Sequence, residues 1–378
     1  MKKQQTKTVS RRKFLKTGAA TAATATGAAM LGAPAIVKAK TVLKMQGSWG
    51  AKDVFNEMAE MYVARVNDMS GGELKIQYLV SGAVVKAFQV QDAVNKGVLD
   101  AAHTVVAYWY GKNKAASLFG SGPQYGQTAD QQLSWIAHGG GYELYTELTQ
   151  KILGLNVIGF FAMPMPTQPL GWFKKPIKSV KDLKGLKYRT VGLATDVMQT
   201  MGLKVTQLPG GEIIPALERG VIEAFEYNNP TSDSRFGAQD VSKVYMMGSY
   251  HQAAEFFEII FNKSKFESLP KQHQAILRYS AEAANSANLW FALDQYSRDL
   301  LKLINEHGVK VYRTPESVMK AELAAWDTVI ANLEQDPFFK KCTTSLKNYS
   351  HRTAFYVLLN QADYKLAFNH YFPGELNF

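Results

Sequence analysis

The sequence predicts an α/β protein of two similarly built lobes that share a crevice and are bridged by one long helix. Three observations carry this. Short apolar strands alternate with amphipathic helices from Thr41 onward, which implies a parallel or mixed sheet with helices on its faces. A pattern also recurs: Ala93-Val94-Asn95-Lys96-Gly97-Val98-Leu99-Asp100-Ala101 and Ala216-Leu217-Glu218-Arg219-Gly220-Val221-Ile222-Glu223-Ala224 share A-h-x-[KR]-G-V-h-[DE]-A at an offset of 123 residues, about the size of one small lobe. Finally, Lys271 to His307 contains no Gly or Pro. As a helix it would run roughly 50 Å, enough to lie across both lobes.

Thr41 to Gly47 reads as the first strand. Ala51 to Met69 reads as a helix, because Phe55, Met58, Tyr62, Val66 and Met69 fall on one face. Ser70-Gly71-Gly72 ends it, and Leu74 to Val80 is the next strand. Lys86 to Lys96 is a helix stopped by Gly97, and Val98 to Val106 is a strand running into Tyr108-Trp109-Tyr110. Asp130 to Lys151 is helical with a break at Gly139-Gly140-Gly141, and Leu155 to Ala162 is a strand. Met163-Pro164-Met165-Pro166 reads either as the crossover between lobes or as a surface loop.

The second lobe opens with Gln168 to Arg189. Gln168 precedes a short strand, Gly171-Trp172-Phe173. A helical turn follows, with Ser179 as N-cap and Gly185 as its left-handed stop, and then a strand, Leu186 to Arg189. Next come a helix Leu193 to Met201, a strand Lys204 to Gln207, a helix Glu212 to Arg219, and a strand into Glu226-Tyr227-Asn228-Asn229-Pro230. Beyond the repeat the first lobe ends in His103 and the second in Glu226, so the two strand ends would face one crevice. Phe256 to Asn262 is a strand that would rejoin the first lobe. After the long helix come a strand Val309 to Tyr312 and a helix capped by Thr314 with Pro315 at its first position. An aromatic helical tail, Phe338 to Phe378, closes the chain. The expected division is residues 40–166 with a return at about 249–270 for the first lobe and 167–248 for the second. The spanning helix and its packing partners occupy 271–337, and the tail 338–378.

The net charge of +11 is set by the leader. Residues 1–39 hold eight basic side chains and no acid, leaving 35 basic against 32 acidic residues, a net of about +3. A charge argument for nucleic acid therefore fails. Within that leader, Ser10-Arg11-Arg12-Lys13-Phe14-Leu15-Lys16 is similar to a twin-arginine export signal. The Ala-, Gly- and Thr-rich segment Thr17 to Ile36 follows, with Val37-Lys38-Ala39 or Ala33-Pro34-Ala35 as cleavage candidates. Its weak hydrophobicity favours removal over a membrane anchor. A lone cysteine, Cys342, cannot form an intramolecular disulfide.

Catalytic patterns are scarce. The seven histidines make no H-E-x-x-H spacing, and no G-x-S-x-G elbow, phosphate-binding loop or strand-following G-x-G-x-x-G occurs. Binding chemistry is better represented. Gln168, Trp172, Arg189, Glu226 and Tyr227 fall at strand ends or crossovers of the second lobe, and Tyr108 and Trp109 at the matching place in the first. Aromatics around one charged group suit a small carboxylate ligand. The Arg189 guanidinium is a planar fork that fits a carboxylate, or else the partner of a structural acid. Glu226 would repel a bound carboxylate. A cation held by hard oxygens of Glu226, Gln168 and a backbone carbonyl would remove that conflict; a salt bridge to Arg189 is the other reading.

The export leader, the Q-x-x-G-W-F-x-K-x-I…D-L-K-G-L-K-Y-R run and the A-L-x-[KR]-G-V-I-[DE]-A…E-Y segment resemble the DctP family, the periplasmic solute receptors of tripartite ATP-independent periplasmic (TRAP) transporters. The resemblance covers essentially the whole mature chain. It implies a periplasmic-binding-protein-like fold that closes on its ligand, with Arg189 as the salt bridge to the ligand carboxylate. The Gln168 and Glu226-Tyr227 pattern is similar to the branch that binds 2-oxo acids or lactate with a metal ion. There Gln168, Glu226 and the carbonyl of Tyr227 would hold sodium or calcium, with Gln252 as a further contact. Tyr227 departs from the tryptophan usual at that position, which puts pocket shape in question rather than the carbonyl ligand. The resemblance further implies a periplasmic location, a membrane permease as partner, and dimerisation through a C-terminal helix. The expectation is a receptor and not an enzyme; the rivals are an exported metal-dependent enzyme acting on a small carboxylic acid and a sensor module for the same ligand.

Overall fold

The alternation of strands and helices resolves into two sheets. The structure, a computed structural model, describes residues 41–376. The strands are β1 (Thr41–Gly47), β2 (Leu74–Leu79), β3 (Ala101–Thr104), β4 (Val157–Met165), β5 (Gly171–Phe173), β6 (Lys187–Arg189), β7 (Lys204–Thr206), β8 (Ala224–Phe225), β9 (Val244–Met247), β10 (Glu255–Asn262) and β11 (Lys310–Arg313). The first sheet has the order β2-β1-β3-β10-β4, and the second β11-β9-β5-β8-β6-β7. β1 runs parallel to β2 and β3, whereas β10 inserts antiparallel between β3 and β4. The chain thus leaves the first lobe after β4, builds most of the second, and returns through β10.

The sequence repeat is realised as two equivalent junctions. In each, a short helix ends on a basic residue, Lys96 or Arg219, and a glycine follows with positive φ, +74° at Gly97 and +68° at Gly220. Only glycine takes this conformation without strain, so it releases the chain into β3 in one lobe and β8 in the other. Both strands lie inside their sheets, and the chain just beyond each, Val105 in one lobe and Tyr227 in the other, lines one cavity.

The long helix, Lys271–Asn305, packs on β4 and on helix Val54–Met69 of the first lobe, and on helix Pro230–Arg235 of the second. Its inner face is small near the middle, where Ser280, Ala281, Ala284 and Ala292 are buried, and larger toward the ends, with Leu277, Tyr296 and Leu303. Small residues let the helix approach both lobes closely. Tyr62 donates from its hydroxyl to the Leu277 carbonyl at 3.1 Å, fixing one end.

Some local expectations need correction. β3 ends at Thr104, and Tyr108 and Trp109 lie on a 3-10 turn, Val106–Trp109, and not on a strand end. β4 runs on to Met165 through Pro164. It is an edge strand, where a missing N–H costs no ladder bond; the crossing to the second lobe follows it. Thr314 does not cap its helix: Pro315 takes the cap position of Glu316–Leu333, and the buried Thr314 hydroxyl has no partner. The short helices Pro230–Arg235 and Ala238–Val241 and strand β9 were not foreseen, because the first is polar all round and the others span only four residues. The tail forms helices Pro337–Asn360 and Tyr364–Tyr371, with Phe355, Tyr356, Leu359, Tyr364 and Tyr371 exposed. The expected export signal lies outside the described residues. Among those described, no helix is long and apolar enough to cross a membrane.

Candidate ligand and cation site

Arg189 is the last residue of β6, which pairs in parallel with β7 on one side and β8 on the other. That register sets Arg189 opposite Phe225 and brings its side chain beside Glu226. The guanidinium is 1% exposed. Its Nε donates to the Leu208 carbonyl at 2.9 Å, and Nη1 donates to the Glu226 carbonyl at 2.8 Å and to Glu226 Oε1 at 2.9 Å. The Tyr227 ring lies 5.6 Å from its central carbon. The ion pair that the sequence offered as one of two readings is therefore present.

Arg189 also faces a small cavity between the lobes, about 10 Å³ in volume and so little larger than one water. Trp49, Phe55 and Phe257 supply its apolar wall from the first lobe. Gln168, Asn228 and Glu255 supply its polar side together with Arg189, and Tyr108 and Tyr227 close it. Stacking fixes the apolar wall: Trp49 lies on Phe257 at 4.4 Å, and Phe55 meets Phe257 edge-on at 4.7 Å.

Three fully buried oxygens at this place have no hydrogen-bond partner: Gln168 Oε1, Glu226 Oε2 and Gln252 Oε1. Gln168 and Gln252 lie on the two chain crossovers between the lobes, and the Gln168 N–H donates to the Gln252 carbonyl at 3.4 Å. The Gln252 Nε2 donates to the carbonyl of Val191, which lines the cavity. A buried acceptor left without a donor costs about 1–3 kcal/mol, which a donor or a cation placed among these oxygens would recover.

The acids here are held near neutrality. Burial pushes the Glu226 carboxyl up to about 7, with the Arg189 charge opposing. Burial, reinforced by the Glu226 charge, pushes Glu255 up to about 8, while Gln168 and Asn228 oppose by donating to it. A positive charge placed among these oxygens would reverse both shifts.

Of the residues singled out in the sequence, the structure gathers Gln168, Arg189, Tyr108 and Tyr227 around the cavity, with Glu226 paired to Arg189 and Gln252 behind Gln168. It does not bring Trp109 or Trp172 there. Trp109 is fully buried in the core, since the 3-10 turn directs only Tyr108 to the cavity. Trp172 stacks on Tyr245 at 4.2 Å and donates from Nε1 to Asp233 at 2.8 Å, inside the second lobe. Sequence reasoning missed Glu255 and Asn228, which contact Gln168 directly or through one carboxylate, and Asp53, which accepts from the Tyr227 hydroxyl. Glu255 carried a usable signal: it and Glu258 are two acids set in a run of large apolar residues, E-F-F-E-I-I-F.

Residues 45–340 match the DctP model, described as bacterial extracellular solute-binding protein, family 7. A monocarboxylate 2-oxoacid-binding periplasmic protein of Nostoc sp. is 33% identical over 309 residues, 81% of this chain and 83% of its own length. A TRAP transporter solute binding protein from Bordetella bronchiseptica RB50, a mixed occupancy dimer with calcium and picolinate, superposes with a TM-score of 0.81 at 27% identity, covering 89% of this chain and 98% of its own. A TRAP periplasmic solute binding protein from Pseudoalteromonas atlantica T6c with bound sodium and pyruvate gives 0.79 at 28% identity, covering 90% and 100%. The chain belongs to the DctP family of bacterial extracellular solute-binding proteins, family 7.

Proposed function

We propose that this chain is the periplasmic receptor of a TRAP transporter. It closes on a small 2-oxo or 2-hydroxy monocarboxylate together with a cation and delivers the acid to a membrane permease. The observation that carries the reading is a buried guanidinium facing a small cavity beside three partnerless oxygens. Arg189 would take the ligand carboxylate, exchanging its side-chain bond to Glu226 for a charge-assisted bond to the ligand.

The donor set fits a hard cation. Gln168, Glu226 and Gln252 each offer a free buried oxygen, and the Tyr227 carbonyl is adjacent in the chain. Among the described residues, no three His, Cys, Asp or Glu side chains gather in one place. Amide, carboxylate and carbonyl oxygens are the ligands of sodium and calcium. When bound, the cation would supply the positive charge that lets a carboxylate lie beside Glu226. The named relatives support this pairing, since one binds calcium with picolinate and another sodium with pyruvate.

The reading is of binding without turnover, in keeping with a family of solute-binding proteins. The enzyme alternative would need a general base beside Glu226, which in the receptor reading is itself a ligand of the cation. Incubation with pyruvate and calcium, followed by proton NMR, should return pyruvate unchanged; a product would overturn the receptor reading. The exposed apolar tail supports pairing of two chains through the C-terminal helices, and the B. bronchiseptica relative is a dimer. Light scattering on the purified protein should give twice the chain mass.

A further inference from the structure

Tyr227 stands between the Arg189 guanidinium and the opposite lobe. Its ring lies 5.6 Å from the guanidinium carbon, and its hydroxyl donates to Asp53 Oδ2 at 2.5 Å. Asp53 belongs to the first lobe, where it caps helix Val54–Met69 by accepting from the Phe55 N–H at 3.1 Å. The same Oδ1 accepts from the Ser232 hydroxyl at 2.8 Å, on helix Pro230–Arg235 of the second lobe. One carboxylate therefore holds two second-lobe hydroxyls while anchored to the first lobe by a helix cap. Beside it, Arg235 reaches across to Glu57 and to the Lys52 carbonyl. Apart from the helix cap, each of these bonds runs from one lobe to the other.

We propose that Asp53 is a closure residue: through Tyr227 it couples closing of the lobes to the placement of Arg189, and so sets how long the ligand stays. The proposal rests on the receptor reading for its ligand. Tyr227 adjoins Glu226 in sequence and Arg189 in space, so pulling its hydroxyl toward Asp53 fixes the ring against which the guanidinium lies. Opening the lobes releases that ring. The bond contributes after encounter and before escape, so it acts on dissociation more than on association.

The test uses Y227F, which keeps the ring and loses the hydroxyl. It is paired with D53S, which keeps a side chain able to cap the helix but too short to reach across. Pyruvate with calcium chloride is the probe, followed by stopped-flow tryptophan fluorescence and by melting of the ligand-free protein. We expect about a ten-fold faster dissociation in each variant with association nearly unchanged. The double variant should be no faster than the faster single one, and a cooperative melting transition in each variant shows that it folds. Equal dissociation rates in wild type and Y227F, or effects of the two substitutions that simply multiply, would overturn the proposal. Should wild type bind no carboxylate, the receptor reading fails. The latch is then decided by small-angle scattering of the ligand-free proteins: a larger radius of gyration in Y227F supports it, and equal radii overturn it.

Discussion

Replacing Arg189 with methionine removes the charge while keeping most of the volume. In the ligand-free protein the change deletes three hydrogen bonds: one to the Leu208 carbonyl, one to the Glu226 carbonyl and one to Glu226 Oε1. Breaking a buried ion pair usually costs about 3–5 kcal/mol, because a charge is left unpaired. Here the cost should fall toward the lower end, since burial already raises Glu226 to about 7 and the carboxyl can take up a proton instead. The variant should therefore fold, with a lowered melting temperature. Binding should suffer more. Losing a buried charge-assisted contact costs about 2–5 kcal/mol, which weakens pyruvate by roughly 30-fold to several thousand-fold. At one hundred times the wild-type Kd, ligand stabilises wild type by about 2.7 kcal/mol. For a chain of this size that is a melting shift of roughly 4 °C. Thermal shift and calorimetry should show this in wild type and a shift of about 1 °C or less for the variant at the same concentration. A folded R189M protein with the full shift would refute the assignment of Arg189 to the ligand carboxylate.

Further outcomes follow from other parts of the structure. Gln168→Ala removes one of the three free oxygens, and calcium's support of pyruvate binding should fall by about ten-fold or more in calorimetric titrations; undiminished calcium dependence would remove Gln168 from the cation site. Glu258, buried and accepting from Tyr145 at 2.6 Å, is pushed by burial up to about 8, so the folded protein holds a proton that the unfolded chain releases near its ordinary value. That contribution to stability is complete below about 4.5 and is lost as pH rises through about 8. Melting in chelator should therefore decline from pH 6 to 9, less steeply in Glu258→Gln; parallel declines would place the effect elsewhere. Leu359→Asp on the exposed tail should convert a dimer to a monomer in light scattering, and an unchanged mass would move the interface off this helix.

The sequence was most legible where one residue type had one physical use. The glycines at 97 and 220 were readable because only glycine releases a helix into a strand with positive φ, and their spacing exposed the two lobes. The long helix was readable from the absence of breakers, and it runs Lys271–Asn305. Arg189 and Glu226 were readable because buried charge at a strand end needs a partner. Trp172 and Trp109 misled because a large aromatic serves a core as well as a cleft, and which face it takes depends on a turn that leaves no mark in composition. Glu255 and Asp53 were missed for the opposite reason. Each reaches the site from an element far away in sequence, and a carboxylate's partners across a cleft appear only when the lobes are brought together.

The central claim is that a small carboxylate and a cation bind this cavity together. Calorimetric titration of wild type with pyruvate, run in chelator, in sodium and in calcium, tests it most directly. The account predicts strong binding with a cation present and a loss of at least ten-fold in affinity when both cations are withheld. Equal affinity in all three buffers, or no heat in any of them, would contradict it.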